Sequence, residues 1–365
     1  MKFCYHNPVR IVFGADLLQA CKEIESDKIL LVTSRGFSAR GLTAKVREAL
    51  GRRVVGVVDS ITPNPELSEL VALKATLQNL DFDSLLAIGG GSVLDSAKFL
   101  STRGDVVARD GGLHIEGVGR GASGSESLAR AIFAIPTTAG TGSELTKWAT
   151  IWDSKAGVKY SLQSESLYPH TAIYDVHLTR TLSRETTIAT GLDALSHACE
   201  SIWNKNANPI STHYALDSIA LIVRTLPALT EDLGELGLRE DMMRASMQAA
   251  LAFSNTQTAL AHAISYPITM RFGVPHGLAC SFSIPLLLDC LPKCEAREIL
   301  SPLNGAIKEL FVALKVSTNP RDYGLDSVMI EEIFGSLNAR AKNGVFALEE
   351  VKQKFSLADN KTNLH

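Results

Sequence analysis

The chain lacks a long apolar run. Its longest, such as Ile284 to Leu288, fall far short of the roughly 18 residues a membrane-spanning helix needs, so no membrane partner is expected. It also lacks a charge excess: the net charge is −3 and the pI about 6.3, which leaves no global basic field for nucleic acid or an anionic bilayer. Cysteines are few. Six occur, none in a C-x-x-C pair and none in an evenly spaced framework, so buried or free thiols in a reducing cytosol are expected. The first residues, MKFCYHNPVR, are polar and lack the apolar core of a signal peptide, which also points to a cytoplasmic location.

What remains is an ordinary globular composition, 45% hydrophobic and 21% charged. The 365 residues exceed the roughly 250–300 at which one core stops growing, so two domains are expected. The first half alternates short β-branched runs with helical patterns. Ile29 to Thr33, Val54 to Val58, Leu85 to Ile88, Ala131 to Ile135 and Thr171 to Tyr174 read as buried strands, and Leu67 to Leu80 and Val93 to Leu100 as helices between them. Continuous apolar strands separated by helices predict a parallel sheet covered on both faces. After about Asp175 strand-like runs become scarce, and 184–204, 209–229, 239–254 and 256–270 are rich in Ala, Leu, Met and Glu. The expected fold is thus an N-terminal α/β dinucleotide-binding domain, residues 1–176, followed by an all-α domain, residues 177–365. The glycine- and serine-rich segment 101–128 reads as a mobile loop.

Two glycine clusters each follow a predicted strand. In the first, Gly89, Gly90 and Gly91 permit a sharp turn, and Ser92 stands where a helix would begin, so free amides and a positive helix end would face a pyrophosphate. Alone this is a weak signal, equally read as a tight strand–helix turn, and it is not the G-x-G-x-x-G fingerprint. The second cluster, Ile135 to Glu144, offers the hydroxyls of Thr137, Thr138 and Thr141 with Gly140 and Gly142. Two such loops at the carboxyl ends of parallel strands favour a dinucleotide over bare turns.

Of nine histidines, His6, His114 and His365 lie in segments expected to be exposed, and His170, His177 and His213 have no partner at ligand spacing. Asp193 and His197 stand four apart in a helical stretch, so both leave one helix face. They can grip one divalent ion or form a local ion pair. His262 has apolar neighbours, and is either a core histidine or a ligand. His276 sits in a Pro-His-Gly turn able to aim its side chain into a cleft. Three imidazoles and a carboxylate suit Fe²⁺ or Zn²⁺.

In this order, Gly-Gly-Gly-Ser-x-x-Asp-x-Ala-Lys (89–98), Pro-Thr-Thr-x-Gly-Thr-Gly-Ser-Glu (136–144), Asp-Ala-x-x-His (193–197), His262 and Pro-His-Gly (275–277), the motifs resemble the iron-containing (group III) alcohol dehydrogenases, from about Arg10 to Leu278. The resemblance implies NAD(P)(H) as cofactor, lined by Gly89 to Ser92, Asp95, Thr137, Thr138, Thr141 and Ser143. It implies a divalent metal, iron ahead of zinc, on Asp193, His197, His262 and His276, a site between the two domains, and a homodimer. Three departures stand out. Tyr266 replaces a second histidine four residues after the third ligand, so Tyr266 or ribose and water would carry the proton, with Tyr266 and His262 the candidate catalytic residues. Ser34-Arg35 replaces an acid after the second strand, which favours or tolerates NADP(H). The stretch Ser254 to Thr258 is unusually polar, fit to meet a hydrophilic substrate or simply to join two helices.

The chemistry of these parts is hydride transfer between nicotinamide and a small aldehyde or alcohol, with Lewis-acid activation of the substrate oxygen. The stretches from His262 to Pro267 and Trp148 to Asp153 are similar to the branch that reduces phosphonoacetaldehyde to 2-hydroxyethylphosphonate. A dianionic substrate would use Lys147, Lys159, Arg271, Ser254 and Asn255, each equally readable as an ordinary surface group. A generic short-chain or polyol dehydrogenase, a dehydroquinate-synthase-like lyase and an inactive nucleotide-binding relative are the alternatives.

Overall fold

The computed structural model describes residues 2–110, 112–117 and 128–360. The described chain divides into two compact units. A sheet unit comprises Asn7–Thr138 and 143–179; a helical unit runs from Arg180 onward and also takes the chain up to His6 and Ala139–Gly142.

The sheet unit is built on β1 (Arg10–Phe13), β2 (Ile29–Ser34), β3 (Val54–Ile61), β4 (Ser84–Gly89), β7 (Ala131–Pro136) and β10 (Thr171–Tyr174). All pair in parallel, in the order β1-β10-β7-β4-β2-β3. Ile29 to Thr33 of β2 are all buried, yet Leu30 and Val32 pack into one apolar cluster while Ile29 and Leu31 pack into another. That alternation is the two-residue side-chain period of a strand covered on both faces, which is why its sequence reads as an unbroken apolar run.

The expected mobile loop over 101–128 is corrected by the structure. β5 (Asp105–Arg109) and β6 (Gly112–Glu116) form an antiparallel pair there, and join β8 (Trp148–Asp153) and β9 (Val158–Gln163) in a second sheet of order β5-β6-β9-β8. Both strands carry charged residues and only β-ladder pairing, not apolar content, identifies them. Residues 118–127 of that segment, like His365, lie outside the described residues.

In the helical unit the long helices Arg184–Ile202, Pro209–Glu231, Leu236–Thr256 and Leu260–Phe272 surround one apolar cluster that includes Leu192, Leu195, Ile219, Ile222 and Ile264. Their starts are set by local chemistry. The Ser183 hydroxyl accepts from Thr186 N, and Asn208 with Ser211 makes a reciprocal cap ahead of Pro209. Among the described residues no helix is long and apolar enough to cross a membrane.

Candidate active site

In the sheet unit the two glycine clusters emerge side by side. Gly89 and Pro136, the last residues of β4 and β7, are register partners, and Thr137 N donates to Gly89 O at 3.0 Å. The helix Gly91–Ser101 begins immediately after, with Gly90 as a cap that offers no side chain, so its first amides are left for a ligand. Thr138 faces Gly90: a Cβ there would sit 3.4 Å from the Thr138 hydroxyl. Ser92 Oγ accepts from Asn64 N at 3.3 Å. Asp95 and Ser143 turn instead into an internal network, in which Ser143 Oγ donates to Asp95 Oδ1 at 2.6 Å and Thr150 N donates to Asp95 Oδ2 at 2.9 Å. Buried Lys98 donates to Ser143 Oγ, Thr146 Oγ1 and the Trp148 carbonyl, at 2.9, 3.1 and 2.8 Å. Burial lowers Lys98 to about 8 despite Asp95 and Glu144. Ser34 closes β2, and exposed Arg35 opens the next helix. Thr141 belongs with the helical unit, in the segment where Gly140 lies against Thr190.

The helical unit brings the predicted ligands Asp193, His197, His262 and His276 close together, with His276 half-buried and the others buried. Asp193, His197 and the unforeseen Glu200 line up along one face of the helix Arg184–Ile202. His276 opens the short helix His276–Ser281, whose next residue, Gly277, lies directly on the first helix: an added Cβ would come 1.9 Å from the Ala189 carbonyl oxygen. Only glycine permits that approach, and the approach brings His276 to Asp193. Donor atoms of Asp193, His262, His276 and Cys280 all lie within 4.8 Å of one another. His197 Nε2 is 3.8 Å from Asp193 Oδ1, and its ring stacks on His262 at 4.5 Å and on Phe253 at 4.0 Å.

Glu200 explains how His262 is aimed. Its carboxylate accepts from His262 Nδ1 at 2.7 Å and from the amides of Ala259, Ala261 and His262 at 2.9, 2.7 and 3.2 Å. It therefore caps the helix Leu260–Phe272, which has no cap of its own, and fixes the proton on Nδ1. His262 Nε2 is left facing Asp193 Oδ1 at 3.4 Å, buried and without a hydrogen bond. Such a carboxylate–histidine pair is the usual support of a metal ligand.

The charges agree. Burial would push Asp193 up, but His197, His262 and His276 hold it far below the carboxylate range. Glu200 is likewise lowered against its burial, by His262. Burial brings His197 down to about 4, against the pull of Asp193. Without a metal ion, Glu200 and Asp193 hold a second proton on His262 against its burial, the positive charge that a cation would replace. Burial and Asp193 push Cys280 up to about 12, so its thiol stays protonated and donates to Asp193 Oδ1 at 3.3 Å. Two buried carboxylates among imidazoles call for a cation. Bonds of about 2.1 Å to a single ion set its donors roughly 3–4 Å apart, and Asp193 Oδ1 stands at 3.4 Å from His262 Nε2 and 3.8 Å from His197 Nε2.

Tyr266, one helical turn beyond His262, stacks on His276 at 6.3 Å between ring centroids. Arg340 Nη1 donates to its hydroxyl at 3.1 Å. Each residue suggested for the substrate has a local partner. Arg271 pairs with Glu332 on the surface, Lys147 pairs with Glu165, and Lys159 lies over the Trp152 ring at 5.4 Å. Ser254 Oγ donates to the Leu251 carbonyl at 3.0 Å, and Asn255 Oδ1 accepts from His6 N at 2.8 Å.

The comparison with known families is decisive. The model of the iron-containing alcohol dehydrogenases matches residues 8–176, and that of the family's C-terminal region matches 187–342. The chain belongs to the iron-containing alcohol dehydrogenases. It is 32% identical over 277 residues to alcohol dehydrogenase 4 of Saccharomyces cerevisiae, covering 75% of this chain and 70% of that one. It is 33% identical to the phosphonoacetaldehyde reductase of Streptomyces viridochromogenes, over 72% of this chain and 66% of the relative. Among solved structures, the sulfoacetaldehyde reductase of Bifidobacterium kashiwanohense in complex with NAD+ superposes with a TM-score of 0.88 at 26% identity, covering 99% of this chain and 100% of that one. As a member of this iron-type family the protein is an oxidoreductase of aldehydes and alcohols that uses NAD(H) and a divalent metal, typically iron.

Sequence reading missed Glu200, Cys280 and Arg340. The first two stood in view, Glu200 three residues after His197 and Cys280 four after His276 on the same helices. Arg340 gave no signal, being 74 residues from the hydroxyl it touches.

Proposed function

We propose that this dehydrogenase reduces a small aldehyde bearing a strongly anionic group, of the phosphonoacetaldehyde type, to the corresponding alcohol. The reading is carried by a guanidinium beside Tyr266, where the Arg340 side chain bonds to hydroxyls rather than to a carboxylate. The relatives named for phosphonoacetaldehyde and sulfoacetaldehyde support it, since both substrates join an aldehyde to an oxyanion through one methylene.

In this reading Asp193, His197, His262 and His276 hold the metal, and Glu200 keeps His262 Nε2 turned inward. The bound metal supplies Lewis-acid activation of the substrate oxygen, and the nicotinamide supplies the hydride. Tyr266 takes the place of a histidine proton relay. Arg340 donates to its oxygen, and in this reading the phenol serves as the proton donor to the oxygen of the forming alcohol. Gly89 to Ser92, Thr137 and Thr138 line the cofactor phosphates. Ser34 and Arg35 admit a 2′-phosphate, so NADPH serves beside NADH. The homodimer implied by the family resemblance is part of the proposal, and sedimentation measures it.

The test is a panel of aldehydes with the iron-loaded enzyme and either nicotinamide. Anionic two-carbon aldehydes should exceed propanal and butanal in kcat/KM by about tenfold or more, the worth of one charge-assisted contact. Equal values for phosphonoacetaldehyde and butanal would sink the reading.

A further inference from the structure

Resting on that reading, we infer that Arg340 is the specificity residue of the site, taking the oxyanion of the substrate on the Nε–Nη2 edge of its guanidinium. The side-chain hydrogen bonds of Arg340 to Tyr266 Oη at 3.1 Å and to Thr258 Oγ1 at 3.4 Å both run through Nη1. The remaining edge, Nε with Nη2, is the planar fork that matches two oxygens of a phosphonate or sulfonate. Glu200, the carboxylate that acts on this guanidinium, is engaged with His262. Arg271 and Lys147, by contrast, are each neutralised by a carboxylate in direct contact. A partly buried cation bonded to neutral hydroxyls has electrostatic capacity left for an anion.

The position is fixed as well as charged. Arg340 lies in the short turn Ala339–Asn343, whose start is capped by the Asn338 side chain accepting from Arg340 N at 3.0 Å. Its end is fastened by Asn343 Nδ2 donating to the Thr258 carbonyl at 3.1 Å, by Lys205 N donating to Asn343 O at 2.7 Å, and by Val345 N donating to Trp203 O at 3.1 Å. These ties run to the segments that flank the helix Leu260–Phe272 and end the helix Arg184–Ile202, the two that carry the ligands. His262 and Tyr266 stand one turn apart on one helix face, so the guanidinium is separated from the ligand His262 by a single phenol. A substrate carrying an oxyanion gains from a cation beside Tyr266, and a neutral alcohol gains nothing from it.

The experiment compares the iron-loaded wild type with Arg340→Gln and Arg340→Lys on sulfoacetaldehyde, phosphonoacetaldehyde and propanal with NADH. The readout is the ratio of kcat/KM for the anionic aldehyde over propanal, which cancels any loss through Tyr266 common to both. Arg340→Gln should lower that ratio by about ten- to hundredfold, mostly through KM, and Arg340→Lys should fall between because it keeps the charge and loses the fork. Calorimetry of ethylphosphonate with the enzyme–NAD+ complex should show the same order of affinity. If wild type prefers anionic aldehydes and Arg340→Gln leaves the ratio unchanged, Arg340 is a prop for Tyr266 and the inference falls while the functional reading stands. If wild type shows no preference, the functional reading fails and takes the inference with it. Should Arg340→Gln not fold, an unchanged ratio and unchanged ethylphosphonate affinity in Arg340→Lys would overturn the inference equally.

Discussion

Each unit buries a knot of charge, and the two knots are finished differently. In the sheet unit Lys98 spends its three protons on Ser143, Thr146 and the Trp148 carbonyl, while Asp95 accepts from Ser143 and Thr150. In the helical unit Asp193, His197 and His262 converge, and His262 Nε2 has no hydrogen bond. A closed network braces a fold; an open one of ionised carboxylates and lone pairs is waiting for a cation. The contrast separates a buried charge that serves structure from one that serves chemistry.

The largest effect that would break this contrast is at the ligands. Asp193→Ala or His262→Ala should abolish iron binding and turnover together while the thermal transition stays cooperative; metal analysis and calorimetry measure both. Gly277→Ala should do nearly as much, since its Cβ would meet the Ala189 carbonyl and displace His276. Next comes Lys98→Met, which strands Asp95 without its cation and should cost about 3–5 kcal/mol in urea unfolding, with metal affinity in the surviving folded protein little changed. Its pH signature is also defined. Lys98 is lowered from 10.5 to about 8, so between those values the unfolded chain binds the extra proton and wild-type stability rises with pH. That slope should flatten in Lys98→Met; an identical slope would deny Lys98 its place in the network. Glu200→Gln should weaken iron binding about 10–100-fold, as loss of a ligand's supporting carboxylate does. The smallest effect is at Arg35→Asp, which should shift the NADPH/NADH ratio of kcat/KM toward NADH by roughly tenfold through repulsion of a 2′-phosphate.

Much of this was legible in the chain because the relevant physics is local. The i and i+4 spacing of Asp193 and His197 survives folding because a helix preserves it, and the glycine clusters could be placed at strand ends because each follows a strand whose apolar run is unmistakable. The parallel strands of the covered sheet stood out for the same reason. The second sheet did not, since β5 and β6 are short, half-exposed and recognisable only by whom they pair with. Nor did the fate of the loop 136–144, whose middle, Ala139–Gly142, packs with helices rather than with the strands that flank it. Arg340 was invisible because what makes it informative is a bond across 74 residues. Ser254 and Asn255 stood out by polarity, yet among their bonds are ones to the Leu251 carbonyl, to His6 N and to each other.

One feature of Glu200 reaches beyond the ligand it orients. Because the same carboxylate holds the amides of Ala259, Ala261 and His262, the electrical state of the buried site is written into three backbone N–H groups. Their hydrogen exchange is thus a clock on metal occupancy: a cation that draws Glu200 tighter through His262 slows all three together, without any change in shape.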